Sequence, residues 1–181
     1  MDFLILDLIQ SLRTPFLDEI MPMITKLGDK GIIWIALAIV LLTFKRTRPL
    51  GICVVIALLL ELAVCNIVIK PLVARTRPFD INTGIQLLVS KPTDYSFPSG
   101  HTGASFAVVA ALGFSREKKL FVITLVPAIL IAVSRLYLYV HFPTDVLAGA
   151  LLGVGSGYAA YRICKWRDER NKNNDSRDKE E

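Results

Sequence analysis

A chain of 181 residues that is 53% hydrophobic, with a mean hydropathy of +0.51, is too apolar for an ordinary soluble domain and reads as an integral membrane protein. Its net charge of +5 is carried by short basic clusters between apolar runs, and no basic stripe interleaved with aromatics marks a nucleic-acid partner. Three cysteines, Cys53, Cys65 and Cys164, sit in apolar settings, too few for a disulfide framework or a metal site, and are read as packing residues.

In residues 1–30, Asp7, Arg13, Asp18, Glu19, Lys26, Asp29 and Lys30 interrupt the apolar pattern of Phe3, Leu4, Leu6, Leu8, Ile9 and Leu12. The pattern predicts an amphipathic helix at the membrane interface, with a sixth span as the alternative. Starting Met1-Asp2, without a basic leader or a small-residue cleavage site, it does not read as a signal peptide.

Four apolar runs follow, at about 31–44, 50–69, 120–134 and 146–161, with a fifth and shorter one at about 102–114. A span needs roughly 20 apolar residues, so the shorter runs must borrow flanking residues or pack inside the bundle. The expected fold is therefore all-α: a polytopic membrane helical bundle of about five to six transmembrane helices, with an N-terminal interfacial segment. Residues 31–164 form the bundle and 165–181 a charged cytoplasmic tail, solvated and without fixed structure. Basic clusters at Lys45-Arg46-Thr47-Arg48, at Arg116, Lys118 and Lys119, and at Arg162, Lys165 and Arg167 follow the first, third and fifth runs. The positive-inside rule puts all three in the cytoplasm and the connections 70–101 and 135–145 on the extracytoplasmic face of the cell membrane.

Those two connections hold most of the chain's conspicuous polar chemistry. Lys70 closes the second run, and Arg77 follows two helical turns later, although Pro71 and Pro78 argue against an unbroken helix. Taken alone, Lys70 would be a snorkelling residue, and Arg75 and Arg77 headgroup anchors. Pro98-Ser99-Gly100-His101 stands before an apolar helix, where unpaired backbone N–H groups and the helix dipole favour an anion; a plain cap by Ser99 would leave the histidine unexplained. Ser134-Arg135 ends the fourth run, and Asp145 falls in the first turn of the last helix, within reach of His141. A carboxylate orienting an imidazole suits a nucleophilic histidine; the plainer reading makes Asp145 a first-turn acid complementing the dipole and His141 an interfacial ring. His101 and His141 are the only two histidines of the chain.

Lys70-x6-Arg77-Pro78, Pro98-Ser99-Gly100-His101 and Ser134-Arg135-x5-His141-x3-Asp145 together resemble the three-part signature of the type 2 phosphatidic acid phosphatase and haloperoxidase superfamily, over residues 70–145 and in the family's order. The resemblance implies a phosphatase with no metal and no cofactor. His141 would attack phosphorus and form a phosphohistidine, Asp145 would orient His141, and His101 would protonate the leaving oxygen. Lys70, Arg77, Ser99, Gly100 and Arg135 would hold the phosphoryl oxygens. These roles agree with the demands of phosphoryl transfer, which needs positioning and positive charge around the equatorial oxygens.

A zinc site on the two histidines and Asp145 would place three cations beside the ion, each costing on the order of several kcal/mol even at an effective dielectric of roughly 20. A carrier for anionic lipids would use the cations but leave the histidines and Asp145 idle. Peroxidase chemistry belongs to members that resemble soluble enzymes. A site at the bilayer surface suits an amphiphilic phosphate, and the resemblance implies undecaprenyl pyrophosphate first, then phosphatidic acid and phosphatidylglycerol phosphate. The expected partners are that lipid and the bilayer.

Within the spans, Glu61 and Asn66 are read as interhelical hydrogen-bonding groups, with a proton or headgroup contact as the functional alternative. Gly149, Gly153 and Gly157 recur every four residues. That spacing admits a close helix from the same bundle or from another copy, the latter making a homo-oligomer through the last helix.

Overall fold

The computed structural model describes residues 1–177. Among them every regular element is helical: α1 (Asp2–Ser11), α2 (Pro15–Gly28), α3 (Ile32–Thr43), α4 (Arg48–Glu61), α5 (Lys70–Val73), α6 (Pro78–Ile81), α7 (Gly100–Phe114), α8 (Lys118–Tyr137) and α9 (Pro143–Arg177). Three stretches are long and apolar enough to cross a membrane: Arg48–Ile81, Lys118–Tyr137 and Pro143–Asn171.

The short run expected at 102–114 becomes the centre of the bundle. Ala107, Val108, Ala111 and Leu112 of α7 are at most 1% exposed: Val108 and Leu112 pack among Trp34, Val54, Ala128 and Ile131, and Ala107 and Ala111 among Cys53, Ala57 and Ala160. Trp34 donates its indole N–H to Ser105 Oγ at 3.0 Å, which satisfies its one polar atom inside this core. Burial inside the bundle explains why α7 can be short.

The glycines of α9 face α7. A Cβ on Gly149 would lie 2.5 Å from the Ser99 carbonyl oxygen, on Gly153 2.3 Å from that of Gly103, and on Gly157 2.5 Å from that of Ala107. The two helices run parallel with their backbones in contact, and three carbonyls leave no room for a side chain. The spacing is thus taken up within the chain, and a homo-oligomer would have to use a different face.

The run expected at 50–69 is continuous from α4 into α5, but Leu62–Ile69 is π-helical. Pro71 can give no N–H to the carbonyl one turn earlier, and the ladder just before it widens, so that the Lys70 N–H bonds the Cys65 carbonyl. The rod then stops at Ala74, which takes a left-handed conformation with φ 47°. Lys70 and Arg77 therefore do not share a helix; Arg77 is extended and immediately precedes Pro78 at the start of α6.

The N-terminal segment forms two helices broken at Leu12-Arg13-Thr14, with the Thr14 hydroxyl accepting from Leu17 N–H and Pro15 at the first helical position. Both lie against the ends of α8 and α9 that carry the polar clusters: Gln10 donates to the Tyr137 carbonyl at 2.7 Å, and Tyr137 and Tyr139 donate to Asp18 and Asp7 at 2.6 and 2.9 Å. Leu4, Leu8, Leu12, Phe16 and Met23 remain exposed.

At the other end, α9 continues through Arg177. Residues 165–177 are thus helical where the composition suggested no fixed structure, because extending an existing helix is far cheaper than nucleating one. Lys165 and Glu169, one turn apart, add a 3.9 Å ion pair. The last four residues of the expected tail lie outside the described residues.

Candidate active site

The parallel contact of α7 and α9 sets the second polar cluster beside the third. The Ser99 N–H donates to the Asp145 carbonyl oxygen at 3.1 Å, so the start of α7 is tied to the first turn of α9. Ser99 occupies the cap position of α7, but its hydroxyl pairs with that of Thr102 at 3.0 Å and caps no backbone N–H. Gly100 packs on Asn66 of the π-helical stretch, where a Cβ would come within 3.0 Å of the amide oxygen.

His141 is 1% exposed, on the connection between α8 and α9. Arg77 Nη1 lies 3.3 Å from His141 Nε2 and also donates to the Val140 carbonyl at 2.6 Å. A guanidinium N–H can only donate, so Nε2 is the unprotonated ring nitrogen and Nδ1 carries the hydrogen. Nδ1 points toward Asp145 Oδ2 at 3.7 Å, beyond hydrogen-bond distance, and has no hydrogen-bond partner among the described residues. Burial and the nearby Arg135 and Arg77 push the imidazole pKa well below its usual range, against the upward pull of Asp145. The ring is neutral at neutral pH, with a lone pair on Nε2.

Asp145 is fully buried and more heavily engaged than its spacing from His141 suggests. Oδ2 accepts from Ser96 Oγ at 2.5 Å and from Phe142 N–H at 2.8 Å; Oδ1 accepts from Arg75 Nη1 at 2.5 Å. Arg75, read from sequence as a headgroup anchor, instead lies over the Phe142 ring at 4.0 Å and also pairs with Asp2 of α1 at 2.8 Å.

The three expected phosphate cations converge on one cavity of about 1010 Å³, which also holds His101 and His141. Lys70 and Arg77 both meet Asp94, a residue the sequence reading did not single out. Lys70 Nζ pairs with one carboxylate oxygen, and Arg77 Nη2 donates to the other at 2.7 Å while its Nε donates to the Asp94 carbonyl at 2.8 Å. Burial would raise the Asp94 pKa, but hydrogen bonds and charge from Lys70 and Arg77 outweigh it and bring it down to about 2. The carboxylate thus presents two oxygens to two cations much as a phosphoryl group would. Arg135, 4% exposed, donates from Nη1 to Thr25 Oγ1 at 2.5 Å, and its Nε has no partner among the described residues.

His101 Nε2 lies 2.9 Å from Asp29 Oδ1. A carboxylate accepts, so this nitrogen carries a proton. Each histidine thus has an aspartate beside it. Glu61 is 2% exposed, packs on Gly103 and lines the same cavity, and its Oε1 has no hydrogen-bond partner among the described residues. Among the described residues, no three His, Cys, Asp or Glu side chains are grouped so as to hold a metal ion.

The family model of the PAP2 superfamily matches residues 48–169. An undecaprenyl-diphosphatase of Sulfolobus acidocaldarius is 37% identical over 147 residues, covering 81% of this chain and 70% of that protein. Among solved structures, Aquifex aeolicus LpxE superposes with a TM-score of 0.77 at 29% identity, covering 89% of this chain and 94% of that one. A transmembrane PAP2 type phosphatidylglycerolphosphate phosphatase from Bacillus subtilis superposes with a TM-score of 0.71 at 28% identity, covering 93% and 85%.

Proposed function

The chain belongs to the PAP2 superfamily and is a membrane phosphatase, and from that premise we propose that its substrate is a long-chain prenyl diphosphate such as undecaprenyl pyrophosphate, cleaved through a phosphohistidine on His141. The observation that carries this reading is the lining of the cavity, which combines Arg77, His101, Arg135 and His141 with the apolar Ile35, Ile39 and Leu42 of α3, Leu58 of α4 and Leu62 of the π-helical stretch. A charged headgroup and an apolar chain fit one continuous space. The 37% identical undecaprenyl-diphosphatase supports a diphosphate; the likeness to the phosphatidylglycerolphosphate phosphatase supports a second reading, in which a glycerophospholipid takes the same place.

In the proposed reaction His141 Nε2 forms a bond to the terminal phosphorus as the bond from phosphorus to the bridging oxygen breaks. His101, entering as the imidazolium with its Nε2–H held by Asp29, gives the proton on its other ring nitrogen to that leaving oxygen, and lipid monophosphate departs. Water then attacks the phosphohistidine, His101 takes its proton, and inorganic phosphate leaves with His141 restored. Lys70, Arg77 and Arg135 stabilise the equatorial oxygens in place of a metal, and the first-turn amides of α7 add donors.

Purified protein should release phosphate from prenyl diphosphate with a higher kcat/KM than from phosphatidic acid or phosphatidylglycerol phosphate, in excess chelator and with inhibition by vanadate. Preference for phosphatidylglycerol phosphate would favour the second reading. Activity lost in chelator and restored by Zn²⁺ or Mg²⁺ would overturn the metal-free mechanism. Binding of these lipids without release would indicate a carrier.

The site is proposed to face away from the cytoplasm, because the basic residues around Lys45, Lys118 and Arg162 gather at the opposite ends of the helices. Thr93 is exposed beside Asp94. In protein lacking Cys53, Cys65 and Cys164, Thr93→Cys should react with a membrane-impermeant thiol reagent in intact cells. Labelling only after lysis would place the site on the cytoplasmic side.

A further inference from the structure

We propose that Arg75 is a positioning residue for the reaction: shared between Asp145 and Asp2, it holds the carboxylate behind His141 and withholds part of that negative charge from the ring. Arg75 comes from the turn between α5 and α6, at one of the unspecified positions of Lys70-x6-Arg77-Pro78. Its Nη1 reaches Asp145 Oδ1 at 2.5 Å and Thr144 Oγ1 at 2.7 Å, and its Nη2 reaches Asp2 Oδ2 at 2.8 Å. Thr144 Oγ1 donates to the same Asp2 oxygen at 2.6 Å, and stacking on Phe142 fixes the plane of the guanidinium. With Oδ1 taken by Arg75 and Oδ2 held by Ser96 and the Phe142 N–H, the carboxylate cannot rotate. Oδ2 is thereby held at its 3.7 Å separation from His141 Nδ1.

The electrostatic consequence has a definite sign. The charges around His141 and Asp145 are Arg75, Arg77 and Arg135 on the positive side, and Asp2 and Asp94 on the negative. Without Arg75, Asp145 would present more of its charge to the ring and stabilise the imidazolium. His141 would then stay protonated to higher pH, where it cannot attack. Removing Asp2 acts in the opposite direction, since Arg75 would then serve Asp145 alone. Helix α1 thus helps set the pH range of the site without touching substrate.

The inference rests on His141 as the nucleophile. It is tested on the full chain in detergent, using a short-chain phosphatidate as substrate and inorganic phosphate as competitor. Arg75→Ala is expected to lower kcat by about 10- to 100-fold while the inhibition constant for phosphate stays within about twofold, because the phosphate cations are untouched. The acidic limb of the kcat/KM profile should move up by about one pH unit, Arg75→Lys should return it most of the way, and Asp2→Asn should move it down. An unmoved limb, or an equal loss of kcat and phosphate affinity, would reduce Arg75 to a structural contact. Should Arg75→Ala fail to fold, Asp2→Asn decides, and an unmoved limb there rejects the proposal. If no acid-labile phosphate can be trapped on wild-type His141, the assignment of the nucleophile has failed instead.

Discussion

His141→Ala is expected to reduce turnover to background, a loss on the order of 10⁶-fold, and to abolish the phosphoenzyme. The ring is the proposed nucleophile: it is buried, Arg77 faces Nε2, and burial together with Arg77 and Arg135 keeps the pKa low. The other imidazole of the chain, His101, is bonded to Asp29. Rapid quench in alkaline denaturant and recovery of base-stable, acid-labile label from wild-type protein would show the phosphohistidine directly. His141→Gln, closer in size, separates loss of chemistry from loss of packing, and it should be equally inactive while retaining the wild-type melting temperature in detergent. Label accumulating in either variant would move the nucleophile elsewhere.

His101→Ala should produce a different defect, one that depends on the leaving group. With a lipid alcohol or lipid phosphate departing, loss of the proton donor should cost about 10²- to 10⁴-fold in kcat, whereas an activated aryl phosphate needs little protonation and should lose only a few fold. Asp29 accepts from His101 Nε2 at 2.9 Å and orients the ring, so Asp29→Asn should show the same leaving-group dependence to a smaller degree. The measurement is kcat for a series of phosphate esters of graded leaving-group pKa. A defect of constant size along the series would remove His101 from the role of acid.

What could be read from the sequence was whatever depends on neighbours along the chain. The hydropathy of 50–69, 120–134 and 146–161 marks the long helices because a membrane-crossing helix must satisfy its own backbone and present apolar side chains wherever it meets lipid. The three clusters ending in Arg77, His101 and Asp145 were visible because each is local: a helix end, a helix start and a helical turn. Lys70 and Arg77, Gly100 and His101, and Arg135 and His141, drawn from all three, line one cavity.

What the tertiary structure alone decided are the pairings between segments remote in sequence. Asp29 lies 72 residues from His101, Asp145 70 from Arg75, and Thr25 110 from Arg135. Nothing in the local pattern distinguishes Asp29 from the other acids of the first thirty residues, or Asp94 from a loop carboxylate. Arg75 reads as an anchor until α9 brings Asp145 against it. Even the glycine spacing of α9 left open whether the neighbour was α7 or another copy, because a small-residue face specifies close approach but not the approaching helix. Local chemistry along the chain is encoded by adjacency, whereas these ionic partners exist only once the bundle has packed and its burial has made an unpaired charge too costly to leave.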